Sequence, residues 1–371
     1  MVVRIEIDAS VLSYYIHKSK VSLEQLQGKI SDINLYLNGE KMPTFNQISN
    51  IAKTLNIPTG LLLIEKKLDT DQHRLSFRTL NSRNMEGMSF ELRDTISEMQ
   101  LKQDFLREEV EHELDFIGKY SIKDDYNEVV NGIRSYLDIP VFFQKKIAQK
   151  YIMTYLREKI NQLGVFIFFN GKVKDNTHRN LDLNEFRGFV LSDKKAPLIF
   201  INQKDTKNGQ LFTLVHELVH LFIGEEEIFN IAETKTGSRD KVETFVNKVT
   251  AELLVPMQEF VKHDLFDTEV LSKTFKVSEY VIVRRLLDMN KITKIEYDNQ
   301  INELEAKYEM IKNIDTKSGG DYNNNLKFRI DNSFFNYIQN AISQNKITYT
   351  EAFNIIGVGY KGYKTLSGGG R

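Results

Sequence analysis

Two histidines four residues apart, with a glutamate directly after the first, stand in TLVHELVHLF, residues 213–222. On an α-helix, positions i and i+4 share a face one turn apart, so His216 and His220 can offer two imidazole nitrogens to one metal ion. Glu217 lies about 100° around the helix from His216 and leans over the same opening. The chemistry this permits is metal-assisted hydrolysis. Zinc held by three protein groups keeps one position for water and lowers that water's pKa to about 7, and a carboxylate beside it can pass the proton to a leaving amine. HExxH supplies two ligands and the base from a single turn. Leu214, Val215, Leu218, Val219, Leu221 and Phe222 make the rest of the stretch apolar. A buried His-Glu-His set with nothing to satisfy it is costly, which favours a metal centre over a core polar network. An earlier stretch, EHELDF (111–116), begins the same way but has Phe116 where the second histidine would stand, and offers no such site.

Zinc needs a third ligand. The chain of 371 residues has no cysteine, which excludes disulfides, thiolate metal sites and a cysteine nucleophile. His263 is far along the chain. Closer is KVETFVNKVTAELLVP, a helix-period stretch ended by Pro256, on which Glu243, Asn247 and Thr250 share one face. Glu243 is the expected third ligand and completes a two-histidine, one-glutamate set of the thermolysin type. Zinc is the expected ion, and the same donors accept manganese. For a donor that stabilises a developing oxyanion, His178, Arg179, Arg187 and His263 all stand open. APLIFIN (196–202) is the candidate edge strand for pairing with an extended substrate. The acidic run Glu225, Glu226 and Glu227 reads as a solvated loop after Gly224.

The elements that must position these residues follow from periodicity. Residues 1–67 read as four or five short amphipathic helices with Ser22, Ser31 and Thr44 at N-cap positions, Gly28 and Gly39 near helix ends, and Pro43 and Pro58 in the connections. That is the outline of a helix-turn-helix domain. Its eight basic and six acidic residues leave a net charge of +2, a weak footprint for phosphate contact, although Asn34, Asn38 and Lys41 could face a duplex. Residues 68–125 read as a connector: polar loop over 68–85, then highly charged helix with the solvated surface residue His112. The helix AQKYIMTYLREKINQLG is followed by VFIFFNG and by the two apolar runs of EFRGFVLSDKKAPLIFIN, three strands leading into the HELVH helix. The fold class expected is α+β, with the peptidase-like unit over 126–260. A helical, helix-turn-helix-like extension follows over 261–316, with Ser278 as a cap. A polar linker KSGGDYNNN (317–325) precedes a small module at 326–366, and SGGGR forms the tail.

The three segments EFRGFVLSDKKAPLIFIN, LFTLVHELVHLFIG and VETFVNKVTAELLVP, in this order, resemble the ImmA/IrrE family of metallopeptidases. The resemblance implies a zincin-like domain behind an XRE-like helix-turn-helix domain. It implies His216 and His220 as metal histidines, Glu217 as general base, and Glu243 as the acidic ligand at the head of a helix that ends in LLVP. Asn247 matches an asparagine of that helix without an assigned role. It also implies a protein substrate, a specific repressor or an antitoxin. The chain departs in Val246, Val249 and Thr250, where the family often has small alanines and phenylalanine, which bears on pocket shape and not on the ligands.

Two functions follow as expectations. One is a regulatory zinc endopeptidase acting on one partner protein. The other is a DNA-binding regulator or antitoxin-like protein, contacting DNA through residues 1–67, whose metal site does no chemistry. Hydrophobic residues at 41% suffice for real cores, and Lys+Arg (50) nearly balance Asp+Glu (51), so no global charge argues for nucleic acid or a membrane surface. MVVRIEIDAS lacks the apolar centre of a signal peptide, and GVFIFF and PLIFI fall far short of a membrane span. A cytoplasmic protein without a membrane partner is expected, and no oligomeric state follows from the sequence.

Overall fold

Apolar residues at helical spacing fold the start of the chain into α1 (Ala9–Lys18), α2 (Leu23–Lys29), α3 (Ile33–Leu37) and α4 (Phe45–Leu55). Leu12, Tyr15, Leu26, Tyr36, Ile48 and Ile51 meet in one buried cluster. The computed structural model describes residues 4–18, 23–55, 59–63, 88–223, 238–263, 267–314 and 321–368. The expectations for Ser22, Pro58, the loop at 68–85, Gly224 with the acidic run 225–227, linker residues 317–320 and tail residues 369–371 lie outside the described residues. Thr44 caps α4 as its type predicts: its hydroxyl accepts from the Gln47 N–H at 3.3 Å, and the Gln47 side chain accepts from the Thr44 N–H at 2.8 Å. At α3 the N-cap is Asp32 rather than Ser31. The Asp32 carboxylate turns to Lys41 and Tyr36, so the one lysine of the 31–42 segment is already paired.

The described chain falls into two compact units that part between Asp94 and Thr95, inside α5 (Phe90–Glu109). The charge of this stretch suggests a solvated connector, and the structure corrects that. Ile96, Met99 and Leu106 are buried, and Lys102 is fully buried, donating to Glu98 at 2.6 Å with the Phe168 ring 5.8 Å away. Gln103 donates to the carbonyls of Leu191 and Ala196, both at 2.9 Å, and Arg107 pairs with Asp193 at 2.7 Å. Composition concealed this because charged groups can enter a core once each has a partner. His112 is exposed, as expected.

The second unit continues through α6 (Tyr126–Leu137), α7 (Ile152–Gln162), β1 (Phe166–Asn170), β2 (Gly188–Leu191), β3 (Leu198–Asn202), α8 (Lys207–Ile223) and α9 (Ser238–Leu254). Then come α10 (Met257–Phe260), α11 (Thr268–Phe275), α12 (Glu279–Asp288), α13 (Lys294–Ile314), α14 (Tyr322–Arg329), α15 (Asn332–Ser343), α16 (Tyr349–Ile356) and α17 (Tyr360–Leu366). The many helices with one three-stranded sheet make an α+β fold. The strand order is β1-β3-β2, with β1 parallel and β2 antiparallel to β3. The edge strand expected at 196–202 is therefore the centre of the sheet. Its five residues are all buried, and an apolar run without alternation marks a strand covered on both faces. Asp321 caps α14, accepting from the Asn324 N–H at 2.7 Å, so residues 321–325 are a helix start and not linker. Among the described residues no helix is long and apolar enough to cross a membrane.

The outer side of β1 is closed by the chain that follows α14. Phe166 N–H donates to Pro197 O, so by alternation the polar groups of Ile167 point away from β3. Ile167 N–H donates at 2.9 Å to the carboxylate of Asp331, which also accepts from Asn161 Nδ2 at 2.5 Å and caps α15 at Phe334 N–H. Arg157 donates to the carbonyls of Ile167, Phe328 and Ile330. Residues 328–331 thus satisfy a sheet edge without being a strand. Asp331→Ala strands the buried Ile167 N–H and is expected to cost about 3 kcal/mol, seen as a lower urea midpoint at unchanged slope. A loss below about 1 kcal/mol would show that the edge is held elsewhere.

Candidate metal centre

The centre is built on α8, which is apolar nearly all round and therefore buried. Thr206 begins it, its hydroxyl accepting from the Gly209 N–H at 3.0 Å. A Cβ at Gly209 would stand 2.5 Å from the Asp205 carboxylate, so a side chain there would have to displace it. At the far end, the carbonyls of Leu221 and Phe222 accept from the N–H groups of Gly118 and Tyr120, both at 2.9 Å. The EHELDF stretch thus has a structural use. It runs on into the residues that terminate α8, and Phe116 packs on Phe222 with ring centroids 4.7 Å apart. α9 packs against both α8 and α6, and Val242, Val246 and Val249 are buried in the shared core, so the departures at 246 and 249 are filled core positions. Thr250 is buried, and its hydroxyl has no hydrogen-bond partner among the described residues.

This packing brings His216, His220 and Glu243 together. They are the one group of three His, Asp or Glu side chains among the described residues whose ligand atoms converge, all within 4.8 Å. His216 Nε2 and His220 Nε2 are 3.1 Å apart, and the Glu243 carboxylate reaches them at 3.3 and 3.5 Å. Two ring nitrogens and a carboxylate aimed at one point are the donor set a divalent cation of the zinc class takes. The Nδ1 atoms of both rings are buried and have no hydrogen-bond partner among the described residues. The Phe212 ring stacks on His216 at 6.1 Å, one turn before it.

Burial sets the electrostatics. The buried carboxyl of Glu217 is pushed up to about 7 because its charged form has lost its water; His216 opposes this and Glu243 adds to it. His220 is pulled down to about 4 by burial and by the charge of His216. For His216 burial also pulls down, but hydrogen bonding to Glu243, the Glu217 and Glu243 charges and the Asn247 amide together raise it. At neutral pH His220 therefore keeps a free lone pair, the form a metal needs.

Residues 160–287 match the Peptidase_M78 family model, the IrrE N-terminal-like domain. No curated protein and no solved structure matches the chain. The family is one of zincin-like metallopeptidases. The IrrE-like match takes in the whole sheet, α8 and α9, and runs on through α11 into α12.

Of the oxyanion candidates, Arg187 is taken by Asp205 at 2.7 Å, and His263 lies against Phe275 with centroids 5.7 Å apart. His178 and Arg179 sit in the loop between β1 and β2. Sequence reasoning passed over Gly188. A Cβ there would meet the Thr213 methyl at 2.5 Å, so glycine lets β2 lie against α8 one turn before His216. The signal was present as the glycine inside the apolar run FRGFVL, since a strand glycine marks a close approach.

The shift of Glu217 has a testable sign. Its folded pKa lies above the ordinary value, so between about pH 4.5 and pH 7 the folded metal-free chain holds a proton that the unfolded chain releases. Its stability falls across that window. Metal-free Glu217→Gln escapes this loss and is expected to exceed wild type by on the order of 3 kcal/mol at pH 8, with the gap closing toward pH 4. The opposing slope from His220 is common to both proteins. Equal denaturant midpoints at pH 8 would show that Glu217 ionises freely.

Proposed function

We propose that this chain is a zinc-dependent endopeptidase of regulatory type that cleaves one partner protein, a transcriptional repressor or an antitoxin, in the cytoplasm. The observation that carries the reading is the convergence of His216, His220 and Glu243 beside the buried Glu217, within the IrrE-like match. His216, His220 and Glu243 would hold the ion, zinc or manganese. When bound, it supplies Lewis acidity toward a peptide carbonyl and toward water. Glu217 takes the proton of the attacking water as oxygen adds to the carbonyl carbon. It then returns a proton to the amide nitrogen as the C–N bond breaks. A carboxyl beside the ion can do both in turn, first as base and then as acid.

The sheet supplies a place for the substrate backbone. β1 is closed by Asp331 and Arg157, and β3 is paired on both sides, which among the described residues leaves β2. Arg187 O accepts from Asn202 N–H, so by alternation the N–H and C=O groups of Gly188 and Val190 point away from β3. An extended peptide could pair there, beside α8. The helical unit at 1–67 would bring the enzyme to DNA or to a DNA-bound repressor.

The test is a substrate trap in the native host. Tagged Glu217→Gln is expected to keep zinc and hold an intact partner, which wild type converts into two fragments identified by intact mass. His216→Ala is expected to lose both metal and cleavage, and a chelator should stop the wild type until zinc is restored. Cleavage by Glu217→Gln at the wild-type rate would sink the mechanism. An intact partner with both proteins would sink the peptidase reading.

A further inference from the structure

The C-terminal end of α9 is held by side chains from three other segments. Arg134 of α6 donates to Glu252 O at 2.8 Å, and Gln144 donates to Leu254 O at 2.5 Å. Arg285 of α12 donates to Val255 O through both Nε (3.0 Å) and a terminal nitrogen (2.6 Å), and it pairs with the Glu252 carboxylate. The other oxygen of that carboxylate accepts from the Met257 N–H at 3.0 Å, across Pro256. Arg134, Glu252 and Arg285 are all buried. Carbonyls that a helix end leaves without partners are thus taken by a guanidinium, an amide and a second guanidinium, and positive charge at a helix C-terminus is favourable.

This arrangement does more than satisfy carbonyls. α9 packs on α8 and α6 with Val242, Val246 and Val249 buried in the shared core, and apolar contact is non-directional: it sets how deep a helix lies, not how far it slides or turns. Hydrogen bonds to named backbone atoms do set that. Glu243 is on the same rigid helix as Glu252, and a metal ligand must stand within a few tenths of an ångström of its place. We propose that Arg285 and Glu252 are positioning residues for the metal centre: by fixing the register of α9 they place Glu243 and so set the affinity for the ion. The proposal rests on the reading of His216, His220 and Glu243 as ligands.

The test compares the zinc dissociation constants of metal-free wild type, Arg285→Lys, Glu252→Gln, His216→Ala and Ile338→Ala by chelator competition, together with the thermal unfolding of each metal-free chain. Ile338 is fully buried on α15, so its truncation lowers stability without touching α9. Arg285→Lys and Glu252→Gln are expected to bind zinc about 10- to 100-fold more weakly, while Ile338→Ala keeps wild-type affinity at equal or greater loss of melting temperature. Should Arg285→Lys lack a cooperative transition, the near-isosteric Glu252→Gln decides alone. Wild-type affinity in the clamp variants, or an equal loss in Ile338→Ala, overturns the proposal while leaving the ligands standing. Wild type binding no more tightly than His216→Ala would instead remove the metal reading itself, and this proposal with it.

Discussion

Imidazoles and carboxylates on a helix that is apolar nearly all round must be satisfied by something other than water, and much of the second unit is arranged around that demand. α8 is sunk in the core, which removes water from Glu217 and His220 and shifts both toward their neutral forms. The same burial points two ring nitrogens and the Glu243 carboxylate at one spot a few ångströms across. In such surroundings a divalent cation offsets the desolvation of every group that faces it. β2 approaches this helix closely by having no side chain at Gly188.

A second regularity is how helix ends and sheet edges are closed. The last carbonyls of α8 receive N–H groups from residues 118 and 120, and those of α9 receive side chains of Arg134, Gln144 and Arg285. The outer edge of β1 receives Asp331 and Arg157. In each case the partner is far away in sequence. A helix terminus or strand edge presents polar groups that must be paired, yet nothing in its own residues says which distant segment will pair them. That is why EHELDF read as a failed metal motif, the stretch of α5 as solvated, and 321–325 as linker, although each contributes to a packed structure.

What the sequence determined by itself is the local chemistry. His216, Glu217 and His220 occur within one turn, so any helix there gathers them, and the periodicity of KVETFVNKVTAELLVP puts Glu243 on a usable face. The three strands, the cap at Thr44 and the helix leading to Gly164 were legible for the same reason, since short-range geometry follows from residue type and spacing. Only the tertiary structure decided that Glu243 meets the histidines, that β3 is central and β2 the remaining edge, and that Lys102, Arg285 and Asp331 are buried with partners. Strand order, burial of charge and the capping of helix ends depend on contacts between residues far apart along the chain. Those contacts are selected by the free energy of packing the whole unit, and no window of sequence contains it.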